Sequence, residues 1–207
     1  MVQSKINLKA SLKHLRRDRE LSIVIKKHKL SNDIWSRRPV NEFESLVRSI
    51  IYQQISGKAA ESIFKKFVGL FDGKFPKPSQ VLKTKTATLR SAGLSPQKLR
   101  YIIDLSEKFE DGTVSSKNFS RMEDEEIIEH LTQVKGIGVW TAHMFLMFTL
   151  KRPDILPTGD LGIQKGFQKL FKLRTLPNPK KMETLAKPWE GHRTIACLYL
   201  WRLVDGE

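Results

Sequence analysis

In VKGIGVWTA, residues 134–142, two glycines stand one residue apart, behind a lysine and ahead of a tryptophan. Glycine accepts positive φ and close backbone approach where other residues clash. Gly136 and Gly138 fall where one helical pattern stops and another starts at once. Backbone N–H groups at such a point converge at the positive end of a helix dipole, an arrangement that holds a phosphate. Lys135 would add a charge there, and Ile137 completes the candidate hairpin. For a bare pair of glycines the plainer reading is a steric turn between packed helices.

The elements around the hairpin have helical periodicity almost throughout. NEFESLVRSIIYQQI (41–55) places Phe43, Leu46, Ile50 and Ile51 on one stripe, with Asn41 as its cap. GKAAESIFKKFVGLF (57–71) repeats the pattern and ends in the turn DGKFPKP. PSQVLKT and TATLRSAGL read as short helices, and SPQKLRYIIDLSEKF opens on Ser95 with Pro96 in the first turn. EDEEIIEHLTQV begins with four acids at the positive end of its dipole and carries Ile127, Ile128, Leu131 and Val134 on one face. VWTAHMFLMFTL (139–150) is apolar nearly all round, which predicts a buried central helix. No alternating strand pattern and no fixed-period repeat is found. The expected fold class is all-α.

Composition narrows the partner. The 207 residues are 40% apolar and 29% charged, the profile of an ordinary globular protein with room for a real core. No run approaches the ~18 apolar residues of a spanning helix, and the basic start lacks the apolar core of a secretory signal. One cysteine, Cys197, excludes an internal disulfide or a cysteine-held cluster and suits a reducing compartment. The balance of 37 Lys+Arg against 22 Asp+Glu, net +15, points to a polyanion, nucleic acid ahead of an anionic membrane surface. The excess is uneven: residues 1–40 hold eleven Lys/Arg and three Asp/Glu, and 164–181 hold six Lys/Arg and no acid.

With LTQVKGIGVWTAHMF, RPDILPTGDLGIQKGF, KPWEGHRTIACLYLW and, upstream, FESLVRSIIYQQISGKAA in the correct order, the chain resembles the helix-hairpin-helix DNA glycosylases. Within them it is most similar to the 3-methyladenine (alkylpurine) branch, especially its fungal members. The resemblance covers roughly residues 40–204. It implies two helical lobes flanking a DNA-binding cleft: residues 41–155 as the hairpin-bearing lobe, and 1–40 with 156–207 as the second. It also implies a monofunctional enzyme of base excision repair that flips out an alkylated purine and hydrolyses its glycosidic bond, leaving an abasic site. The partner is double-stranded DNA with a damaged base or abasic site, bound by a monomer without a membrane, in a DNA-containing compartment, the nucleus in a eukaryote. No cofactor is implied, beyond a monovalent cation at the hairpin's backbone carbonyls, and no metal held by side chains.

The family's catalytic aspartate lies in a P-x-x-D turn, which here is PTGDLGI and points to Asp160. A carboxylate stabilises the oxocarbenium character that glycosidic cleavage builds on the sugar, and can orient the attacking water. An aspartate there can also simply cap the following helix. Trp140 occupies the slot where bifunctional members carry a catalytic lysine, so no Schiff base is expected. Trp140 and Trp201 match aromatic pocket positions, with Met144 one turn beyond Trp140. An indole face attracts a cationic base by ~0.5–2 kcal/mol. Trp189, Tyr199 and Phe145 are weaker pocket candidates. The loop after the first core helix supplies Gln53 and Gln54 to bond an orphaned base and Ile55 as a wedge. Ser56 stands where active fungal relatives often carry histidine. That departure keeps a second reading open, a weak or inactive homologue that binds abasic or distorted DNA. A third, an architectural duplex binder gripping phosphates alone, comes last.

Overall fold

The computed structural model describes residues 6–30, 41–115 and 118–206. Twelve α-helices are formed there: α1 Leu8–Leu15, α2 Arg19–Lys27, α3 Glu42–Tyr52, α4 Gly57–Gly69, α5 Pro78–Lys83, α6 Thr86–Ser91, α7 Pro96–Glu110, α8 Asp124–Thr132, α9 Val139–Phe145, α10 Leu161–Leu170, α11 Pro179–Ala186 and α12 Arg193–Asp205. A π-helical turn covers Leu146–Leu150 and a 3-10 turn Lys187–Trp189. No strand occurs among the described residues, so the fold is all-α. No helix among them is long and apolar enough to cross a membrane.

The predicted caps are in place. The Asn41 side chain accepts from Glu44 N at 2.7 Å, and Ser95 Oγ accepts from Lys98 N at 3.2 Å with Pro96 as the first helical residue. Glu123 opens α8 with its own N–H bonded to Glu126 Oε2 at 2.8 Å. Each such bond satisfies a donor that the first helical turn leaves without an internal partner.

The chain divides into two compact units, one drawn from Met1–Arg38 and Leu146–Glu207, the other from Pro39–Phe145. The second crossing falls at 145/146, earlier than the expected 155/156. Residues 152–155 are tied to α12: Thr194 Oγ1 donates to Arg152 O at 2.6 Å and accepts from Ile155 N at 3.0 Å. Thr194 N also bonds Pro153 O at 3.0 Å.

In the Pro39–Phe145 unit, α7 packs against α3 and α5, and α3 against α4. Phe43, Leu46, Ile50, Phe67, Ile102 and Leu105 fill the space between them. In the other unit the main pairing is α10 on α12, with α2 and α1 also on α12. Trp189 is fully buried there, its ring near Phe167 and Phe171 and its Nε1 donating to Asp18 Oδ2 at 2.9 Å.

The helix buried on all sides is not the one expected. Thr194–Leu200 of α12 are buried without interruption, whereas Val139, Trp140 and Phe148 are exposed. An unbroken apolar run reports burial only if neighbours cover every face. Within 139–150 the run also changes from α to π geometry at Leu146, so its faces do not follow one stripe.

Candidate functional site

The Pro39–Phe145 unit contains a groove of ≈ 800 Å³. Gln53, Gln54 and Ile55 line one part of it, Trp140 and Met144 another, and Gly136 of the hairpin lies beside them. Three stretches far apart in sequence are thus brought to one surface. α3 ends at Tyr52, and Gln53 turns the chain with extended backbone angles. Gln54 then sits at φ 55, a left-handed conformation that costs a non-glycine residue about 1 kcal/mol or more. Ile55 is exposed, an apolar side chain offered to solvent at the loop's tip. Trp140 is 51% exposed on the first turn of α9.

The loop and the hairpin are bonded to each other. Gln53 Nε2 donates to Gly136 O at 2.8 Å. Gly136 has φ 81, and a Cβ added there would stand 2.0 Å from Cδ2 of Tyr101. No residue but glycine fits. Gly138 differs: a Cβ would meet nothing within 4 Å, so the space over it is open. The Ile137 side chain is buried, and its N–H bonds Val134 O at 3.1 Å. Ile137 therefore anchors the hairpin rather than facing outward. Lys135 N is also committed, to Asp104 Oδ2 at 2.9 Å. The expectation that consecutive hairpin N–H groups all face one anion is accordingly narrowed, because those of 135 and 137 serve the fold.

Asp104 is a residue the sequence reasoning missed. Its carboxylate is only 6% exposed and receives Lys135 N, Lys135 Nζ at 3.3 Å and Lys108 Nζ at 3.0 Å. Burial opposes its ionisation, but these donors outweigh burial and hold it below the usual carboxylate range. An acid beside the buried stripe Leu99, Ile102 and Leu105 was the visible signal. The Lys135 side chain stays 73% exposed although its Nζ pairs with Asp104.

Ser56 has a structural task. It is the N-cap of α4, with its Oγ accepting from Ala59 N at 3.3 Å. It does not line the groove, although the residue itself is exposed.

Asp160 lies in the unit formed with Leu146–Glu207, at the N-cap of α10. The turn before it is closed by Asp160 N on Pro157 O at 3.0 Å and by Gln164 Nε2 on Thr158 O at 2.9 Å. Oδ1 of Asp160 accepts from Ile163 N at 2.8 Å and from Trp201 Nε1 at 2.9 Å. One carboxylate oxygen thus takes both a helix-end donor and an indole donor, which fixes the plane of the group. Gly162 makes the second bond feasible: a Cβ there would lie 2.8 Å from Cδ1 of Trp201 and 2.9 Å from its Nε1. The Trp201 ring also stacks on Phe148, centroids 6.1 Å apart at 23°. The remaining aromatic candidates, Trp189, Tyr199 and Phe145, are buried in the cores and offer no face to a ligand. Cys197 is buried too, and burial pushes its thiol far above the usual range, so it is not a nucleophile. Among the described residues no group of His, Cys, Asp and Glu could hold a metal.

The Asp154–Arg193 pair braces the segment leading to Asp160. Arg193 Nε donates to Asp154 Oδ1 and NH2 to Oδ2, both at 2.6 Å. Burial opposes the charge on Asp154, but the guanidinium holds its carboxyl below the usual range.

Three findings place the chain among known proteins. Residues 47–191 match the model of the HhH-GPD superfamily of base excision DNA repair proteins. DNA-3-methyladenine glycosylase 1 of Schizosaccharomyces pombe is 35% identical over 162 residues, 77% of this chain and 71% of that protein. The solved structure of a 3-methyladenine DNA glycosylase of Schizosaccharomyces pombe in complex with abasic DNA aligns at a TM-score of 0.76 and 31% identity, over 93% of this chain and 95% of that one. That of a DNA-3-methyladenine glycosidase from Bacillus halodurans aligns at 0.82 and 35% identity, over 99% and 93%.

Proposed function

The chain belongs to the HhH-GPD superfamily of base excision DNA repair proteins, and from that premise we propose that it is a monofunctional DNA glycosylase acting on alkylated purines in duplex DNA. The observation that carries this reading is the orientation of Asp160, whose Oδ1 is fixed by Ile163 N and Trp201 Nε1. The names of the relatives, a fungal DNA-3-methyladenine glycosylase and a bacterial DNA-3-methyladenine glycosidase, support the substrate class.

In this mechanism Ile55 enters the base stack from the loop after α3 as the damaged nucleotide leaves it. Extrusion costs a few kcal/mol, and least at a damaged or mispaired base. Gln54 bonds the base left behind, while Gln53 holds the loop against the hairpin. Lys135 and the open backbone at Gly138 meet phosphate. A purine methylated at N3 or N7 carries positive charge, and the exposed indole of Trp140, with Met144 beside it, receives that cation. Trp201 serves the site by holding Asp160. The Asp160 carboxylate stabilises positive charge as it develops on the sugar and orients the water that attacks it. The base leaves as a neutral purine and needs no second acid. The product is an abasic site.

Strand cleavage is not part of the proposal. A lyase needs an amine to form a Schiff base with the sugar, position 140 is tryptophan, and Lys135 Nζ is paired with Asp104. We also infer a monovalent cation at the hairpin, held by backbone carbonyls. Val134 O and Gly136 O each accept one protein donor and keep a second lone pair for a cation.

The test is base release from methylated duplex DNA by wild type and Asp160→Asn. Wild type releases methylated purine; the variant loses release and keeps abasic-duplex binding. Borohydride traps no covalent adduct with either. Absence of release by wild type would overturn the enzymatic reading. Ser56 favours one second reading, a binder of abasic DNA without turnover, because its hydroxyl is engaged in capping α4. Binding that prefers an abasic to an intact duplex, with no release, would establish that reading instead.

A further inference from the structure

α7 carries three polar side chains at positions 98, 101 and 104, spaced to share one stripe of a helix. Each reaches a DNA-facing element of the proposed function. Lys98 Nζ donates to Ile51 O at 2.7 Å, in the last turn of α3 just before the wedge loop. Tyr101 presses its ring against Gly136 and accepts from Gln97 Nε2 at 2.6 Å. Asp104 holds Lys135 by its backbone N–H and its ammonium. The bond from Gln53 Nε2 to Gly136 O closes the circuit from loop to hairpin.

We propose that α7 is a register strut, in which Lys98 and Asp104, with Tyr101 between them, fix the wedge loop and the phosphate hairpin at a set separation. Lys98 and Asp104 are positioning residues: they act through Ile55 and the hairpin backbone. This inference rests on the preceding functional reading for its DNA consequences.

Packing accounts for Tyr101 against Gly136 but does not call for Lys98 and Asp104. Ion pairs and cations withdrawn from water are costly, and an apolar residue of similar volume often stabilises a helix contact as well or better. Burial already lowers the pKa of Lys98, a sign of that cost. What an apolar residue cannot do is specify one angle at a helix end, since only a hydrogen bond to a carbonyl or N–H is directional. All three interactions fall within a residue or two of the elements that must meet two different parts of DNA. The bonds from Lys98 to Ile51 O and from Gln53 to Gly136 O hold the chain just before Gln54, whose φ of 55 persists only if its neighbours hold it.

The two ends of the strut separate in experiment. Lys98→Met frees the wedge loop and lowers the preference for abasic over intact duplex about tenfold, the scale of one lost charge-assisted hydrogen bond. The salt dependence of binding stays as in wild type. Lys98→Arg, which keeps a charged donor, restores most of the preference. Asp104→Asn loosens the hairpin and weakens binding to both duplexes alike. Ile55→Ala sets the coupling: in that background Lys98→Met has no further effect, because the wedge it positions is gone. Hydrogen exchange on the protein without DNA shows faster exchange at residues 53–56 in Lys98→Met, with α8 unchanged. Additive losses in the Ile55→Ala background, or equal shifts in preference and affinity for both variants that simply track Tm, would overturn the strut. So would unchanged exchange at 53–56. Should wild type fail to prefer the abasic duplex, the functional reading falls, and exchange alone decides the strut.

Discussion

The unit that holds the hairpin is nearly neutral, and the unit that holds Asp160 is not. Residues 39–145 contain 15 Lys+Arg and 13 Asp+Glu, whereas 1–38 with 146–207 contain 22 and 9. The contrast separates two jobs that a DNA-binding protein must do. Attraction to phosphate is a long-range property of summed charge, released counterions and salt. Recognition of a distorted site depends on short-range shape. On the proposed function the hairpin unit would meet the second need with glycine, an apolar tip and hydrogen-bonded loops; its lysines are largely offset by acids. The basic unit would meet the first, with the Asp160 carboxylate set in that basic unit.

The division is broken most severely at its chemical end. Asp160→Asn is expected to lower base release by about 10²–10³-fold, the scale of losing a charge-stabilising group. Affinity for an abasic duplex should hold within a factor of a few, measured by fluorescence anisotropy; a matching loss of affinity would assign Asp160 to binding instead.

Geometry comes next. Gly136→Ala forces a Cβ into the Tyr101 ring at positive φ, and is expected to cost about 3 kcal/mol or more, read as a fall in Tm. Gly162→Ala crowds the ring of Trp201 and Oδ1 of Asp160 more mildly, with about 1–3 kcal/mol lost. Its distinguishing mark is reduced release with DNA affinity intact. If both variants lowered affinity alike, shape reading would not belong to one unit.

Acid probes the braces. Asp154 has a folded-state pKa depressed by Arg193, despite burial, so the stability it contributes is present above the unfolded carboxyl value and disappears as pH falls through the folded one. Asp154→Asn should lose about 2 kcal/mol at neutral pH and show a shallower decline than wild type as pH falls below the usual carboxylate range. Parallel acid limbs would remove the pair from that role.

The smallest effect sharpens the charge comparison. Lys172 and Arg174 are exposed beyond α10, in the acid-free stretch 164–181. Replacing both with alanine should flatten the salt dependence of duplex binding, the slope falling by up to about 0.9 for each phosphate no longer neutralised. Lys135→Ala should change it less, because its ammonium is already paired with Asp104. A larger change from Lys135 would return the electrostatic role to the hairpin.

Much of the scaffold was legible. Asn41, Ser95 and Asp160 cap helices where local chemistry said they would, since capping is settled within four residues. The groove partners Gln53 and Gly136 were each singled out, but their bond spans 83 positions and has no local signal. Asp104 stands out as an acid among leucines and isoleucines, but nothing local names the lysine it serves 31 positions away. The helix at 139–150 was misplaced in the core because apolarity records what a surface can bury, not what lies opposite it.

By itself the chain's order of residues determined the helical class, the helix ends, the basic balance and the motifs that identify the superfamily. Those features rest on interactions within a few neighbours, or on sums that ignore position altogether. Tertiary structure alone decided that Gly136 is demanded by Tyr101, that Ser56 caps α4, that Trp201 bonds Asp160, and that α7 bonds both α3 and the hairpin. Apart from the Ser56 cap, which is local, these depend on atoms brought to within 3–4 Å from distant parts of the chain, where hydrogen-bond direction and hard-core repulsion act and sequence spacing does not.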